Sequence, residues 1–426
     1  MAQALDRAAL RPAVTRAHVI GAGLAGLAAA ISLTEAGYAV TLYEQGPAAG
    51  GRCRSYFDRA LGARIDNGNH LLLSGNTDAM WFLAKIGAAD SMAGPGRALF
   101  PFVDLSTGRR WTVEPGPGRI PWWLLRRPIP GTRLVDFLNL WRLRGSGSGT
   151  VAEAVGGTAL YRLLLEPLAV SALNSPAESG LARLMWQVMA GSLLKGGRAC
   201  VPLVPRHGLS ESFIDPAIAW LSERGGTLRC ATRVTGLERG DGGVTGIETT
   251  EGTTPIAAGE KVILAVPAWA ATGLLPGLSV PTATEAIVNV HFRLEADPGP
   301  AGFIGLIGGT AEWIFIKPGI VSITISAANR LQDVPSEEIA ARVWTDTRQA
   351  LDLSGAMPPV RVVREKRATF AATAESEALR PGPEAGLAHF AVAGDWTATG
   401  LPATIEGAIR SGRTAARTVL RARTDS

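Results

Sequence analysis

Cysteine, histidine, tyrosine and charge are all scarce in this chain, and each scarcity closes off a class of chemistry. Among 426 residues there are 3 cysteines, Cys53, Cys200 and Cys230. An odd number leaves one thiol outside any disulfide scheme, and none has CxxC spacing. A disulfide scaffold is therefore excluded and a reducing compartment, the cytoplasm, is expected. The 5 histidines form no HExxH and no cluster with cysteine or acidic residues, so no metal is expected. With 4 tyrosines, no aromatic cage is evident. Charged residues make up 19% of the chain against 46% hydrophobic, a balance that suits a large buried core and excludes a disordered chain. The formal net charge of +5 suits an anionic surface. No nucleic-acid module accompanies it, so no nucleic-acid partner is expected and lipid is the better surface. The nearly uncharged run from Ala17 to Leu33 is short for a membrane span and lacks a stop-transfer flank.

Glycine, by contrast, is abundant at 51 residues, and one group of glycines has a spacing that carries chemistry. The strand-like Ala17-His18-Val19-Ile20 runs into Gly21-Ala22-Gly23-Leu24-Ala25-Gly26, then a helix-like run to Leu33, a stop at Gly37, and a second strand, Ala39 to Tyr43, ending at Glu44. This is a complete βαβ unit. A dinucleotide needs its two phosphates at a helix N-terminus, where free backbone N–H groups and the positive dipole end attract them. Gly21 suits the tight turn and Gly23 the approach of backbone to pyrophosphate. Leu24 and Ala25 supply first-turn amides, and Gly26 lets the helix pack on the sheet. Glu44 stands roughly 20 residues on, where a carboxylate accepts both ribose hydroxyls and repels a 2′-phosphate. Directly after it, Gly50-Gly51-Arg52 offers a second backbone turn and a guanidinium for phosphate or the cofactor's middle section.

The far end of the chain answers these features. Leu387 to Ala393 reads as a buried strand, Gly394-Asp395 as its terminal turn, and Thr404 to Val419 as a helix with Pro402 just before it. The N-terminus of that helix, with Ile405 in its first turn, is expected to face the pyrimidine edge of a flavin. Gly407 and Gly412 are expected where the helix approaches the flat ring, and Asp395 is expected to accept a ribityl hydroxyl.

Both ends resemble the glutathione-reductase-like FAD proteins that include monoamine oxidases, protoporphyrinogen oxidases and carotenoid desaturases. The resemblance implies that Thr232-Arg233-Val234-Thr235 returns to the cofactor, with Val234 meeting the adenine through its backbone, and that Lys261 to Pro267 is the next strand. Within that superfamily, three segments resemble the squalene-associated FAD-dependent desaturases, now understood as hydroxysqualene dehydroxylases. They are Ile65 to Leu73, Pro167 to Pro176 and Val204 to Ser210, with Asn69, Ser175 and His207 as departures from the group's pattern.

That resemblance implies an α/β fold. A glutathione-reductase-like FAD-binding domain (residues 17–95, 196–280 and 384–422) interleaves with an α+β substrate domain (96–195 and 281–383) that has a mixed sheet and a helical cap. The implied reaction is reductive dehydroxylation of hydroxysqualene to squalene, with hydride passing from reduced flavin N5 to an allylic carbon and water lost. Hydroxide is a poor leaving group, so an acid is needed. His70 is the first candidate, with Asp66 as its orienter or as a cofactor-loop ligand. Asn174 and His291 are expected to line the substrate pocket, and His207, in a Pro-Arg-His-Gly turn, is a weaker candidate. The segment 119–130, with Trp122, Trp123, Arg126 and Arg127, has the composition of a membrane contact, placing the chain on the cytoplasmic membrane face. A carotenoid-type desaturase running the flavin in the opposite direction and a flavin amine oxidase remain as alternatives, with Lys317 as the amine oxidase's only basic candidate.

Overall fold

The computed structural model describes residues 15–116, 118, 129–240 and 242–421, with Leu134 described by its backbone alone. The expected membrane-contact segment lies outside the described residues at 119–128.

Five parallel strands form the first sheet, in the order Thr227–Arg229, Ala39–Tyr43, Arg16–Ile20, Lys261–Leu264 and Phe390–Val392. The inner strands are runs of Val, Ile, Leu and Ala buried on both faces, as a parallel sheet covered by helices requires. The helix Leu24–Glu35 is apolar nearly all round and lies buried, the pattern of a helix enclosed by other elements. It is enclosed by the sheet and by the C-terminal helix Ile405–Arg421. A Cβ on Gly412 would stand 2.0 Å from the Ala25 carbonyl oxygen. Gly412 therefore serves close helix–helix packing, which corrects its expected place against a flat ring. Gly407 likewise abuts Pro402 and Thr404 of its own helix start.

A second, seven-stranded sheet is mixed. Its order is Val360–Phe370, Thr284–Arg293, Ile320–Ile325, Trp313–Lys317, Phe303–Ile307, Phe100–Asp104 and Arg110–Val113. Val288, Val290 and Phe292 alternate onto one face, where they pack with Ile323 and Val321 against Val343 and Trp344 of the helix Ser336–Ala350. The opposite face carries Asn289 and His291, paired in register with Thr324 and Ser322. All four are buried, so this sheet is covered on a polar face as well as an apolar one.

Helices Val151–Val155, Tyr161–Leu173 and Ala182–Gly191 make up the cap. Pro167 does not break the second of these. The turn Tyr161–Leu165 widens to π geometry just before it, which relieves the clash between a proline ring and the carbonyl four residues back. Asn174 ends that helix in a left-handed conformation, φ 45°. Among the described residues, no helix is long and apolar enough to cross a membrane.

Candidate active site

The glycine loop has one packed side and one open side. On the packed side, Gly21 takes φ +103° and a Cβ there would meet the Ala265 carbonyl oxygen at 2.5 Å, while a Cβ on Gly26 would meet the Gly21 carbonyl oxygen at 1.9 Å. On the open side, a Cβ on Gly23 would meet nothing within 4 Å. Gly23 is the N-cap of the helix Leu24–Glu35, and no side chain caps that end. An uncapped helix N-terminus opening on free space has the donor set a pyrophosphate needs. Glu44 steadies the loop: its two carboxylate oxygens accept the backbone N–H groups of Ala22 (3.0 Å) and Gly46 (2.8 Å). An ionised carboxylate has about four acceptor sites, so both oxygens retain capacity for ribose hydroxyls.

Two segments distant in sequence complete the cradle. The Gly50-Gly51 turn lies directly on the loop, with the Gly50 N–H donating to the Ala22 carbonyl at 2.9 Å and a bridge joining Gly23 to Gly50. Arg52, next along, reaches across to the C-terminal turn and donates to Asp395 at 2.8 Å and to the Ala368 carbonyl at 2.5 Å. The Asp395 carboxylate holds the guanidinium above its ordinary pKa, so Arg52 stays charged. Gly394, at φ +152°, donates its N–H to Ser411 Oγ of the last helix at 2.9 Å, and its carbonyl accepts from the Thr397 hydroxyl at 2.9 Å.

From this cradle the loop after the strand Ala63–Asp66 runs to the polar face of the mixed sheet. Asn69 Nδ2 donates to Thr324 Oγ1 at 3.0 Å, Thr324 Oγ1 donates to Asn289 Oδ1 at 2.9 Å, and Asn289 Nδ2 donates to the Asn67 carbonyl at 3.3 Å. His70, half-buried beside this network, is neutral at physiological pH. Burial pushes its pKa down to about 4; the Asp66 carboxylate opposes this, and the Arg52 and Lys317 charges reinforce it.

The sequence profile of the flavin containing amine oxidoreductase family matches residues 24–296 and 317–420. A hydroxysqualene dehydroxylase of Sinorhizobium fredii is 45% identical over 94% of this chain and 97% of its own length. One of Zymomonas mobilis is 43% identical over 94% and 97%. The chain belongs to the hydroxysqualene dehydroxylase family. Its cofactor is FAD. In fold it is similar to a solved structure of a putative protoporphyrinogen oxidase from Exiguobacterium, with TM-score 0.65 and 17% identity over 96% of this chain and 99% of that one.

Several of the expected site residues have partners within the chain. Asp66 makes no hydrogen bond to His70. Its Oδ1 accepts from Ser55 Oγ (2.6 Å) and the Leu209 N–H (2.9 Å), and its Oδ2 from Lys317 Nζ (2.5 Å). Asn174 is engaged by the fold on all sides, donating to Thr369 Oγ1 (2.9 Å) and the Glu285 carbonyl (3.4 Å) and accepting the Ala327 N–H (2.8 Å). It ties the cap to the mixed sheet, and the burial that makes those bonds removes it from a pocket wall. Val234 opens the antiparallel hairpin sheet (234–240, 243–249, 252–255). The segment leading to it does return to the ribose end, where the Thr232 N–H donates to the Glu44 carbonyl at 2.9 Å. Ile405 is buried against the first sheet's core, with Leu24 and Ala25. Asn289 and Thr324 were not singled out from sequence. Their alternation with apolar residues has the pattern of a solvent face, and only the sheet's second cover makes them site residues.

Proposed function

We propose that this chain reductively dehydroxylates hydroxysqualene to squalene. The observation that carries the reading is the match, over nearly the whole of both chains, to relatives named for that reaction. Reduced FAD, when bound, supplies the hydride that becomes the new C–H bond. The chain's own residues do the rest. The open side of the glycine loop and the first-turn amides of the helix Leu24–Glu35 hold the pyrophosphate; Glu44 holds the ribose; Arg52 and Asp395 lock the two ends of the chain around the cofactor's middle. These segments, with residues 17–95, 196–280 and 384–422, constitute the FAD-binding domain, and 96–195 with 281–383 the substrate domain.

The leaving hydroxyl needs a proton. His70, with its pKa down at about 4, is not a standing imidazolium at neutral pH. It acts as a neutral N–H donor that orients the hydroxyl and hands on a proton supplied from elsewhere. The cap and the apolar strands keep water from the allylic centre, where a delocalised cation would otherwise be trapped. The test is anaerobic: photoreduced holoenzyme mixed with hydroxysqualene will return the oxidised flavin spectrum and yield one squalene per flavin. A spectrum that stays reduced, with phytoene or squalene desaturated by the oxidised enzyme instead, sinks the reading.

Its substrate, a thirty-carbon alcohol, resides in lipid, and one described face suits a bilayer. Helical residues 134–145 expose Val135 (45%), Leu138 (67%) and Trp141 (59%) at three-residue intervals. Arg133, Arg142 and Arg144 are exposed around them. Apolar side chains ringed by arginine are the composition of an anionic headgroup contact. The three free cysteines support a reducing, cytoplasmic side. Flotation with phosphatidylglycerol vesicles is expected to weaken roughly tenfold or more in a Leu138→Glu, Trp141→Glu chain; unchanged flotation would exclude this face.

A further inference from the structure

Between the strand Ala63–Asp66 and the hairpin that joins Lys317 to Ile320 lies a polar cavity of about 250 Å³. Its outer wall is charged and exposed: Arg64 paired with Glu211, and Arg206 and His207 beside them. Its inner wall is the Asp66–Lys317 ion pair and Ser322. Ser322 is where the cavity touches the buried polar face of the mixed sheet. There its hydroxyl meets His291 Nδ1 at 2.7 Å. His291 is 0% exposed, and its other nitrogen, Nε2, has no hydrogen-bond partner in the protein.

One step further along the same strands is the next cross-strand pair, Thr324 with Asn289, and beyond it Asn69, the neighbour of His70. Successive residues on one face of a strand are about 6.6 Å apart. A sheet face packed against another part of the protein is ordinarily apolar. This one carries four polar side chains in a line from an open cavity to the candidate active site, and the imidazole in the middle has one end unpartnered.

We propose that Ser322, His291 and Thr324 form the route by which a proton enters from the cavity. The proposal rests on the dehydroxylation reading, whose balance demands such a route. A C–O bond breaks and a C–H bond forms. Reduced flavin gives up a hydride, the carbon accepts it, and the hydroxyl departs as water carrying one proton drawn from solvent. That proton must cross a site sealed against water on its apolar sides. A neutral imidazole suits the middle of such a path, because it accepts at one nitrogen while it releases at the other. Burial holds His291 neutral, with its pKa down at about 4; Asp66 and Asp58 oppose this, and Lys317 reinforces it. The remaining charges around it are matched: Lys317 with Asp66, Arg361, its neighbour across the strand, with Asp58 at 3.2 Å, and Arg64 with Glu211. The Thr324 hydroxyl accepts from Asn69 and donates to Asn289; to pass a proton it turns from Asn289 toward the His70 loop, releasing its own O–H proton there as it takes up the incoming one. Ser322, His291 and Thr324 are positioning residues that act through the His70 loop.

The test is single-turnover reoxidation of pre-reduced holoenzyme by hydroxysqualene, in H2O and in D2O. His291→Leu is expected to slow it on the order of tenfold to a hundredfold, to enlarge the solvent isotope effect as proton delivery becomes limiting, and to regain rate when imidazole is added. Thr324→Val, close to isosteric, is expected to show a smaller slowing of the same kind, and it carries the test if His291→Leu fails to retain FAD. An unchanged rate overturns the proposal. So does a slower rate with an unchanged isotope effect and no imidazole rescue, since that outcome marks a packing role. Absence of squalene from the wild-type reaction overturns the dehydroxylation reading, and the route with it.

Discussion

Gly26→Ala will give a chain that purifies without FAD and unfolds early. Its new methyl carbon would lie 1.9 Å from the Gly21 carbonyl oxygen, well inside van der Waals contact, and the loop has nowhere to retreat. Gly21 is itself wedged against Ala265, with 2.5 Å between a would-be Cβ and the Ala265 carbonyl oxygen. Overpacking of this kind costs ~1–3 kcal/mol and more where backbone must move, and here the backbone that moves is the phosphate cradle. Gly23→Ala is the control that separates fold from site. The Gly23 backbone is extended, at φ −76° and ψ 179°, and the added methyl meets nothing within 4 Å, so unfolding of the cofactor-free chain should match wild type. The methyl would nonetheless point into the space proposed for the pyrophosphate, and flavin content should fall. Flavin-to-protein absorbance together with thermal unfolding of the stripped chains reads both. A yellow Gly26→Ala protein with wild-type stability would contradict the packing argument.

The second large effect belongs to Asp66. Its removal as Asp66→Ala takes the acceptor from the Leu209 N–H and the Lys317 ammonium, and leaves the Ser55 hydroxyl only its longer contact to Glu211 at 3.3 Å. The Lys317 side chain is 18% exposed and that of Asp66 4%, so little solvent is at hand to replace the lost carboxylate. Breaking a buried pair by deleting one partner costs ~3–5 kcal/mol, chiefly because the other charge is left uncompensated. Denaturant unfolding of Asp66→Ala should show a loss of that order. Adding Lys317→Met should recover part of it, because the stranded charge goes with it. A double variant as unstable as the sum of the two single variants would show that the pair is not coupled.

These residues mark where a sequence is readable and where it is not. The βαβ unit could be read because its turn, its helix and the acidic end of its second strand are local, each within a few residues of the next. The same reading reached Arg52 and Asp395 separately and gave each to the cofactor. Their pairing joins positions 343 apart, and no spacing rule spans that distance. The resemblance offers Asp66 as the orienter of His70 or as a cofactor-loop ligand. The structure gives its carboxylate instead to Lys317, on a strand of the other sheet. Gly412 shows a different limit. A glycine on an amphipathic helix announces a close approach and leaves open what approaches; the Ala25 carbonyl is what decides it. Asn289 was lost to alternation, which tells two faces apart without telling which one is covered.

The order of strands in the parallel sheet has a consequence for how the protein comes into being. The strand Arg16–Ile20 has Lys261–Leu264 as its neighbour on one side, and the sheet's edge on that side is Phe390–Val392. The helix carrying the glycine loop is sealed by Ile405–Arg421. On the ribosome, the helix carrying the glycine loop therefore stays uncovered until residues 405–421 have been translated. Flavin loading is therefore expected to follow synthesis of that last helix, the Ala-rich helix staying uncovered until then.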